Sequence, residues 1–488
     1  MSTMLKNRHV LFVLIWIIVS GLFQFHKIVV LPPVSVHQGA QTDRACIALN
    51  YYQVSMNFFL PRVMETAVTD GITPCEFPLI NYSAAICYKL FGFSSFWYRF
   101  LMWSFMGIGL WAAFDLLYRW LKNVISALLI TFTWYSSTVL AYYSANFLPD
   151  VGALCFILLA LRQWYLHTMN PGGNRVVWFA VLGSLACLIK ITCFVFIIGV
   201  GSIALIRLIK GDKTLKLIFA CFIVALFTAG WYSYCQWLEK QVGYSYFLMT
   251  MVVPGSIAEF REYFHIFYAN WFTQIYTIWQ WIFIGFGIIG AAFIKEKSEL
   301  KPLLYLTSIG LIGFYVLMAR QFRYHDYYII TLLPIMIIAM GYGYKLLHKI
   351  SPWLGYGIVL AIFITSFAEA KNNVRSRFTP SHYWYQTFFE PAQFKGIDPW
   401  LTQQGVTQKQ RVAVAFDPTP NTILYFINRR GLRISEDDST FNVDVKLTKT
   451  DVLLTNDSLL FFNKYPSTRK QLTLKTNYNT WLLFEIKK

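Results

Sequence analysis

Through the first 370 residues, apolar positions gather into long blocks that show neither the two-residue alternation of a half-buried strand nor a sustained polar helix face. The opening block, VLFVLIWIIVSGLFQF, carries no charge. A helix of ~20 such residues reaches across the roughly 30 Å hydrocarbon core of a bilayer. Blocks of this kind predict eleven transmembrane helices, at 9–31, 96–118, 123–142, 148–168, 175–190, 191–209, 216–235, 276–294, 302–319, 327–346 and 353–370. The pair around Lys190 has two readings, as two spans or as one long tilted helix followed by a re-entrant piece. No small-residue cleavage site follows the first block, which is therefore read as a retained span.

After residue 370 the runs shorten. RVAVAF, LRIS, DVLLT and WLLFEIKK read as strands, and TPNTILYFINRRG reads as a helix that starts near Asn421 or Thr422 and ends before Gly431. The expected organisation is a transmembrane domain at 1–370 and a small α/β domain at 371–488. The fold class is an α-helical polytopic membrane protein with this α/β domain at its C-terminus. This α/β domain shows no G-x-G-x-x-G loop and no metal-ligand spacing, and the eight cysteines of the chain give no zinc pattern.

Composition agrees with the pattern. The chain is 56% hydrophobic and only 14% charged, with a mean hydropathy of +0.47, which excludes an ordinary soluble protein. Its net charge of +18 does not point to nucleic acid, because Lys and Arg fall mostly in short turns between apolar blocks. Lys6, Arg8, Arg119, Lys122, Arg162, Arg175, Arg207, Lys213 and Lys216 collect on one side. The bias puts the N-terminus in the cytoplasm, and an odd number of spans puts the C-terminal domain outside it. Two long loops, 32–95 and 236–275, then lie on the outer face.

The loop 32–95 holds two acids. Asp43 opens a stretch, 43–53, that reads as an amphipathic helix, and Glu76 lies in GITPCEFPLINY before INYSAAICYKLFG, an interfacial helix too short to span. Two carboxylates at one depth can divide binding from proton abstraction when their environments differ; the plainer reading of Asp43 is a helix-N-terminal charge beside Arg44. Cys46 shares a helix face with Asp43, and Cys75 adjoins Glu76; either a disulfide clamps the two acids or two thiols stay separate. Asp150 begins the fourth span, where an acid suits a helix N-terminus. Lys190, inside an apolar stretch, costs free energy unless it meets an anion, water or an interface; it either snorkels or grips a lipid phosphate. In ARQFRYHDYYIITLLP, Arg323 and His325 suit an oxyanion, or Arg323 pairs with Asp326. Arg261 and His265, among aromatics in EFREYFHIFYANWF, mark a sugar- or acceptor-facing surface.

The segments TDRA, CEFPLINY, NFLPD, LIKIT and RYHDYY, set in this layout of spans over 9–370, resemble the membrane-embedded glycosyltransferases of the GT-C type. The similarity is strongest to the branch of protein O-mannosyltransferases and the aminoarabinose (lipid A) transferase, and the chain lacks the Trp-Trp-Asp signature of the oligosaccharyltransferases. The resemblance implies that Asp43 is the catalytic acid group, that Glu76 and Pro78 close the same loop, that Asp150 supports the site, and that Lys190 contacts a polyprenyl phosphate. Phe77 stands where the family has a lysine, and Arg44 and Cys46 depart from its pattern around the aspartate.

The function so implied is an inverting transfer of a hexosyl or pentosyl group from a polyprenyl-phosphate-linked donor to a lipid, protein or glycan acceptor. It would take place on the outer face of the cytoplasmic (inner) membrane of a cell envelope. Asp43 would be the base, Glu76 its orienting partner, and Lys190 with Arg323 or His325 would stabilise the departing phosphate; Asp43 and Glu76 could also hold a divalent metal ion. Two rivals are a transporter or lipid flippase, and a diphosphate-lipid-dependent polymerase or ligase of surface polysaccharide.

Overall fold

The computed structural model of the chain describes residues 7–67, 69–247, 253–386 and 389–487; Lys6, loop positions 248–252 and the last residue of WLLFEIKK lie outside the described residues. The chain divides into two compact units. Met1–Val29, Arg99–Tyr234 and Met249–Ser376 form a helical unit, and Val30–Tyr98, Cys235–Leu248 and Arg377–Lys488 form a mixed unit.

Every block read as a span contains a helix, and the blocks 9–31, 123–142 and 327–346 are each broken into two helical segments. Six described helices are long and apolar enough to cross a membrane: Ser95–Leu121, Asp150–Met169, Ile191–Ile209, Leu215–Val242, Leu300–Leu317 and Pro352–Arg377. The number rises to 8 if each of two bent pairs is one span. The remaining three, Arg8–Leu22, Val124–Tyr135 and Arg175–Ile189, have 15, 12 and 15 residues, short of the ~20 that a straight crossing takes. The expectation of eleven full-length spans is corrected accordingly: apolarity marks where a helix runs, and caps and breaks decide how long it is.

The breaks have local causes. Ile257–Ile275 and Ile278–Phe293 meet at 90°, where Tyr276 is extended and Thr277 with Gln280 restarts the helix as a capping box. Asp326–Leu332 and Pro334–Ile350 meet at 58°, where Pro334, which has no amide hydrogen to satisfy, enters the first turn. At Lys190 the backbone is extended, with φ −142° and ψ 112°, so Arg175–Ile189 and the following turn into Phe194–Ile209 are two helices and the single tilted helix is set aside. Gly287 allows Ile278–Phe293 and Pro334–Ile350 to touch, since a Cβ there would meet the carbonyl oxygen of Ala339 at 1.9 Å. Asp115 is wholly buried because Arg119 and Arg162 each reach its Oδ2 at 2.7 Å, with Arg8 at 3.7 Å from Oδ1.

In the mixed unit, β1 (Val412–Ala415), β2 (Gly431–Ile434), β3 (Val452–Thr455), β4 (Leu472–Tyr478) and β5 (Trp481–Ile486) form one sheet in the order β2-β1-β3-β5-β4. β1 pairs in parallel with β2 and β3, and the hairpin β4-β5 adds antiparallel strands. All four residues of β1 are buried, as a central parallel strand requires. Ala413, Ile434, Leu453, Phe461 and Phe484 share one core. The helix expected over TPNTILYFINRRG is only Thr422–Phe426, and Gly431 already belongs to β2, where a Cβ would meet the Val412 carbonyl oxygen at 1.8 Å. Strand β4 and helices Thr440–Thr448 and Ser458–Lys464 complete the unit. Residues of the loop 32–95 fold as two further helices of this unit, Gln38–Gln53 and Leu79–Phe91.

Candidate active site

The candidate residues gather in two places, one in each unit. In the mixed unit, the helix that the sequence suggested would open at Asp43 starts five residues earlier, as Gln38–Gln53, so Asp43 sits in its second turn and does not open it. Helix Thr422–Phe426 packs on Gln38–Gln53, and Asn421, at its N-cap, donates from Nδ2 to Asp43 Oδ1 at 2.8 Å. The other end of the same carboxamide accepts the Glu65 amide at 3.0 Å. With both ends used, Asn421 is fixed in one orientation and fixes the carboxylate in turn. Beside it, Thr42 and Thr422 hydroxyls lie 3.0 Å apart.

Asp43 keeps some accessible surface, yet so much protein surrounds its carboxyl that desolvation pushes the pKa up to about 6, against the opposing effects of the Arg44 guanidinium and the Asn421 hydrogen bond. Asp417 is pushed up to about 7 by burial; it accepts the amides of Ile423 at 2.6 Å and Thr419 at 2.9 Å. Burial also raises Glu65, whose carboxylate accepts from the Tyr246 hydroxyl.

Glu76 does not bond Asp43 directly among the described contacts. Its Oε1 accepts from Arg44, with Nε at 2.8 Å and Nη2 at 2.7 Å, both side chains being 11% exposed. Arg44 also lies 4.4 Å from the centroid of the Phe247 ring, and its carbonyl accepts from Asn81. This bears on the expected metal. A guanidinium already supplies the positive charge between these acids, and no group of three or more His, Cys, Asp or Glu suited to a metal occurs among the described residues. Asp43 and Glu76 therefore do not fit an all-protein divalent site. The disulfide reading fails as well: Cys46 and Cys75 are buried thiols with no bridge between them, and the Cys75 carbonyl accepts from the Cys235 thiol at 3.3 Å.

In the helical unit, Asp150 is the first residue of Asp150–Met169, as expected, and Lys190 reaches it, Nζ to Oδ1, at 3.3 Å. The extended backbone at Lys190 is what releases its side chain from a helix face. Its ammonium also lies 5.8 Å and 5.6 Å from the Tyr327 and Tyr328 ring centroids. His325 approaches the same two rings, at 5.4 Å and 5.7 Å. Lys190 and His325 thus converge on one aromatic pair, and Asp150 joins them through Lys190. Arg323 stands apart from Asp326: it stacks on Tyr263 at 4.6 Å and Tyr324 at 4.4 Å, while Asp326 accepts from the Tyr143 hydroxyl at 2.6 Å. Sequence reasoning missed Asn421, Asp417, Glu65 and the tyrosine pair as parts of these clusters; Asn421 lies 378 positions from Asp43, and only its helix-capping role was visible.

Three solved structures share this architecture. ArnT from Cupriavidus metallidurans in the apo state aligns over 98% of both chains with a TM-score of 0.60 at 13% identity. The same protein bound to undecaprenyl phosphate aligns over 98% of both chains with a TM-score of 0.61 at 13% identity. The Archaeoglobus fulgidus oligosaccharyltransferase, solved in complex with zinc and sulfate, covers 93% of this chain and 70% of its own with a TM-score of 0.52 at 11% identity. No protein-family model matches the chain, and no curated protein matches it in sequence. The likeness is one of fold: this chain has an ArnT-like fold over 98% of its length.

Proposed function

We infer that the chain is an inverting glycosyltransferase that moves a sugar from a polyprenyl-phosphate-linked donor to an acceptor hydroxyl or amine at the outer face of a cell-envelope membrane. The observation that carries this reading is Asp43, a carboxyl on the ArnT-like fold with a pKa of about 6, held by Asn421. A base of that strength is mostly ionised at neutral pH and still basic enough to take a proton. In the proposed step the Asp43 carboxylate removes the acceptor proton as the acceptor attacks the anomeric carbon. The bond from that carbon to the donor phosphate breaks, its electron pair leaves with the phosphate, and the configuration inverts.

The departing group gains negative charge, which Lys190 is suited to stabilise, with Arg323 or His325 as a second donor. The Lys190–Asp150 pair supports this role, because Asp150 orients the ammonium in apolar surroundings. The bound lipid of the ArnT structure, undecaprenyl phosphate, makes a polyprenyl carrier the natural class of donor. Glu76 acts through Arg44, fixing a cation beside the base.

The test is turnover of a panel of polyprenyl-monophosphate pentoses and hexoses, and of matching diphosphates, by purified protein in detergent, where transport has no meaning. Transfer from a monophosphate donor with inverted product supports the reading. Product only from diphosphates would assign the chain to the polymerase or ligase class, and no consumption of any donor would leave the flippase as the stronger reading.

A further inference from the structure

Away from both clusters, a cavity of about 2130 Å³ opens among helices Asp150–Met169, Arg175–Ile189, Phe194–Ile209 and Leu215–Val242. Its walls are apolar along most of their length, with Val181, Leu185, Ile223 and Phe227 among them. One end is different. Arg207, Lys213 and Lys216 line it, and Asp212 is the one acid among the described lining residues.

The cations there are not equivalent. Arg207 is committed to two acids, Nε to Asp212 at 2.8 Å and Nη1 to Glu299 at 3.0 Å. Lys213 and Lys216 are exposed and form no ion pair among the described residues. The same end carries the N-termini of Arg175–Ile189 and Leu215–Val242, whose first amide groups add partial positive charge. An apolar groove with an uncompensated cationic mouth is complementary to an amphiphile with an anionic head. Its volume exceeds the roughly 300–1,000 Å³ of a drug-sized site, which suits more than one hydrocarbon chain. Lys190 caps the opposite end of Arg175–Ile189, a helix ~22 Å long at 1.5 Å per residue, so this mouth is separate from the cation assigned above to the donor phosphate.

We propose that this groove binds a diacyl anionic phospholipid, its phosphate held by Lys213 and Lys216 and its acyl chains laid along the apolar walls. The site is independent of whichever sugar the protein transfers. Electrostatics selects the head and shape accepts the chains, so charge and volume can be removed one at a time.

Native mass spectrometry of the full-length protein, incubated in detergent with phosphatidylglycerol, phosphatidylcholine or a polyprenyl phosphate, tests it. Phosphatidylglycerol is expected to be retained about tenfold over phosphatidylcholine. Lys213→Gln with Lys216→Gln should reduce that preference to about twofold or less, and Val181→Trp should lower retention of both lipids by obstructing the wall along which the acyl chains lie. The lysines are on the surface, so these changes should leave thermal unfolding unaltered. Equal retention of the two phospholipids by the unaltered protein, an undiminished preference in the double variant, or unchanged retention in the tryptophan variant would each overturn the proposal. Displacement of phosphatidylglycerol by equimolar polyprenyl phosphate would overturn it too, by giving the groove to the carrier lipid.

Discussion

Asp43 and Asp150 are both helix-borne carboxylates closed in by protein, and their surroundings treat them in opposite ways. Asp150 touches a cation directly, Lys190 at 3.3 Å, in a site where its side chain is 1% exposed. Asp43 touches a neutral carboxamide at 2.8 Å, while the cation next to it in sequence, Arg44, is held by Glu76. A carboxylate joined to its own ammonium is neutralised as a pair, and its charge is spent on holding that partner. A carboxylate given a polar anchor without a direct counter-ion keeps a pKa near neutrality, about 6 here, and can exchange its proton within the working range of pH. The first arrangement suits support of a binding cation, and the second suits a base.

The comparison breaks most sharply at Asp43. Asp43→Asn keeps the shape and still accepts from Asn421, so the variant should fold and insert normally while transfer falls by about 10³-fold. Turnover assayed beside thermal unfolding checks both halves, and near-normal turnover would remove Asp43 from the role of base.

Lys190→Ala tests the other side. It strands the Asp150 carboxylate in a buried site, which should cost about 3 kcal/mol of stability, and it should raise the donor KM by about tenfold or more. The double change Asp150→Asn with Lys190→Gln separates the two effects. Stability should return because no charge is left uncompensated, and the donor KM should stay high. A donor KM that recovers together with stability would mean that Lys190 serves Asp150 alone.

How much of this was legible in the sequence follows from the range of each interaction. Asp150 at a helix start and Lys190 at a break could be read locally, since an acid after a proline and a lysine inside an apolar stretch are anomalies within a few residues of themselves. Eleven apolar blocks predicted eleven helices, but the length of Val124–Tyr135, cut to 12 residues, depends on where caps and turns fall. Strands β1, β2, β3 and β5 were visible as apolar runs; β4, LTLKTNY, was hidden because an edge strand with mostly accessible side chains carries no apolar signature. The anchor of Asp43 was beyond reach for a different reason. Asn421 and Asp417 come from the far end of the chain, and nothing local to DPTPN says which helix it will pack against.

Asn421 gives the finest test of the contrast. Its hydrogen bond favours the ionised form of Asp43, in opposition to burial. The folded pKa is already raised, so in the proposed role Asp43 is competent above about pH 6, and activity should be lost as pH falls through that value. Asn421→Ala removes the favouring bond and should move this acid limb upward by on the order of one pH unit, as loss of a bond to a charged group of roughly 1.5 kcal/mol implies. At pH 9 the variant should then regain most of the turnover of the unaltered protein, because the carboxyl is ionised there in both. If Asn421 merely held helix Thr422–Phe426 in place, its loss would depress turnover equally at every pH and leave the limb where it was. A shifted limb with a restored plateau therefore distinguishes tuning of the base from support of the fold.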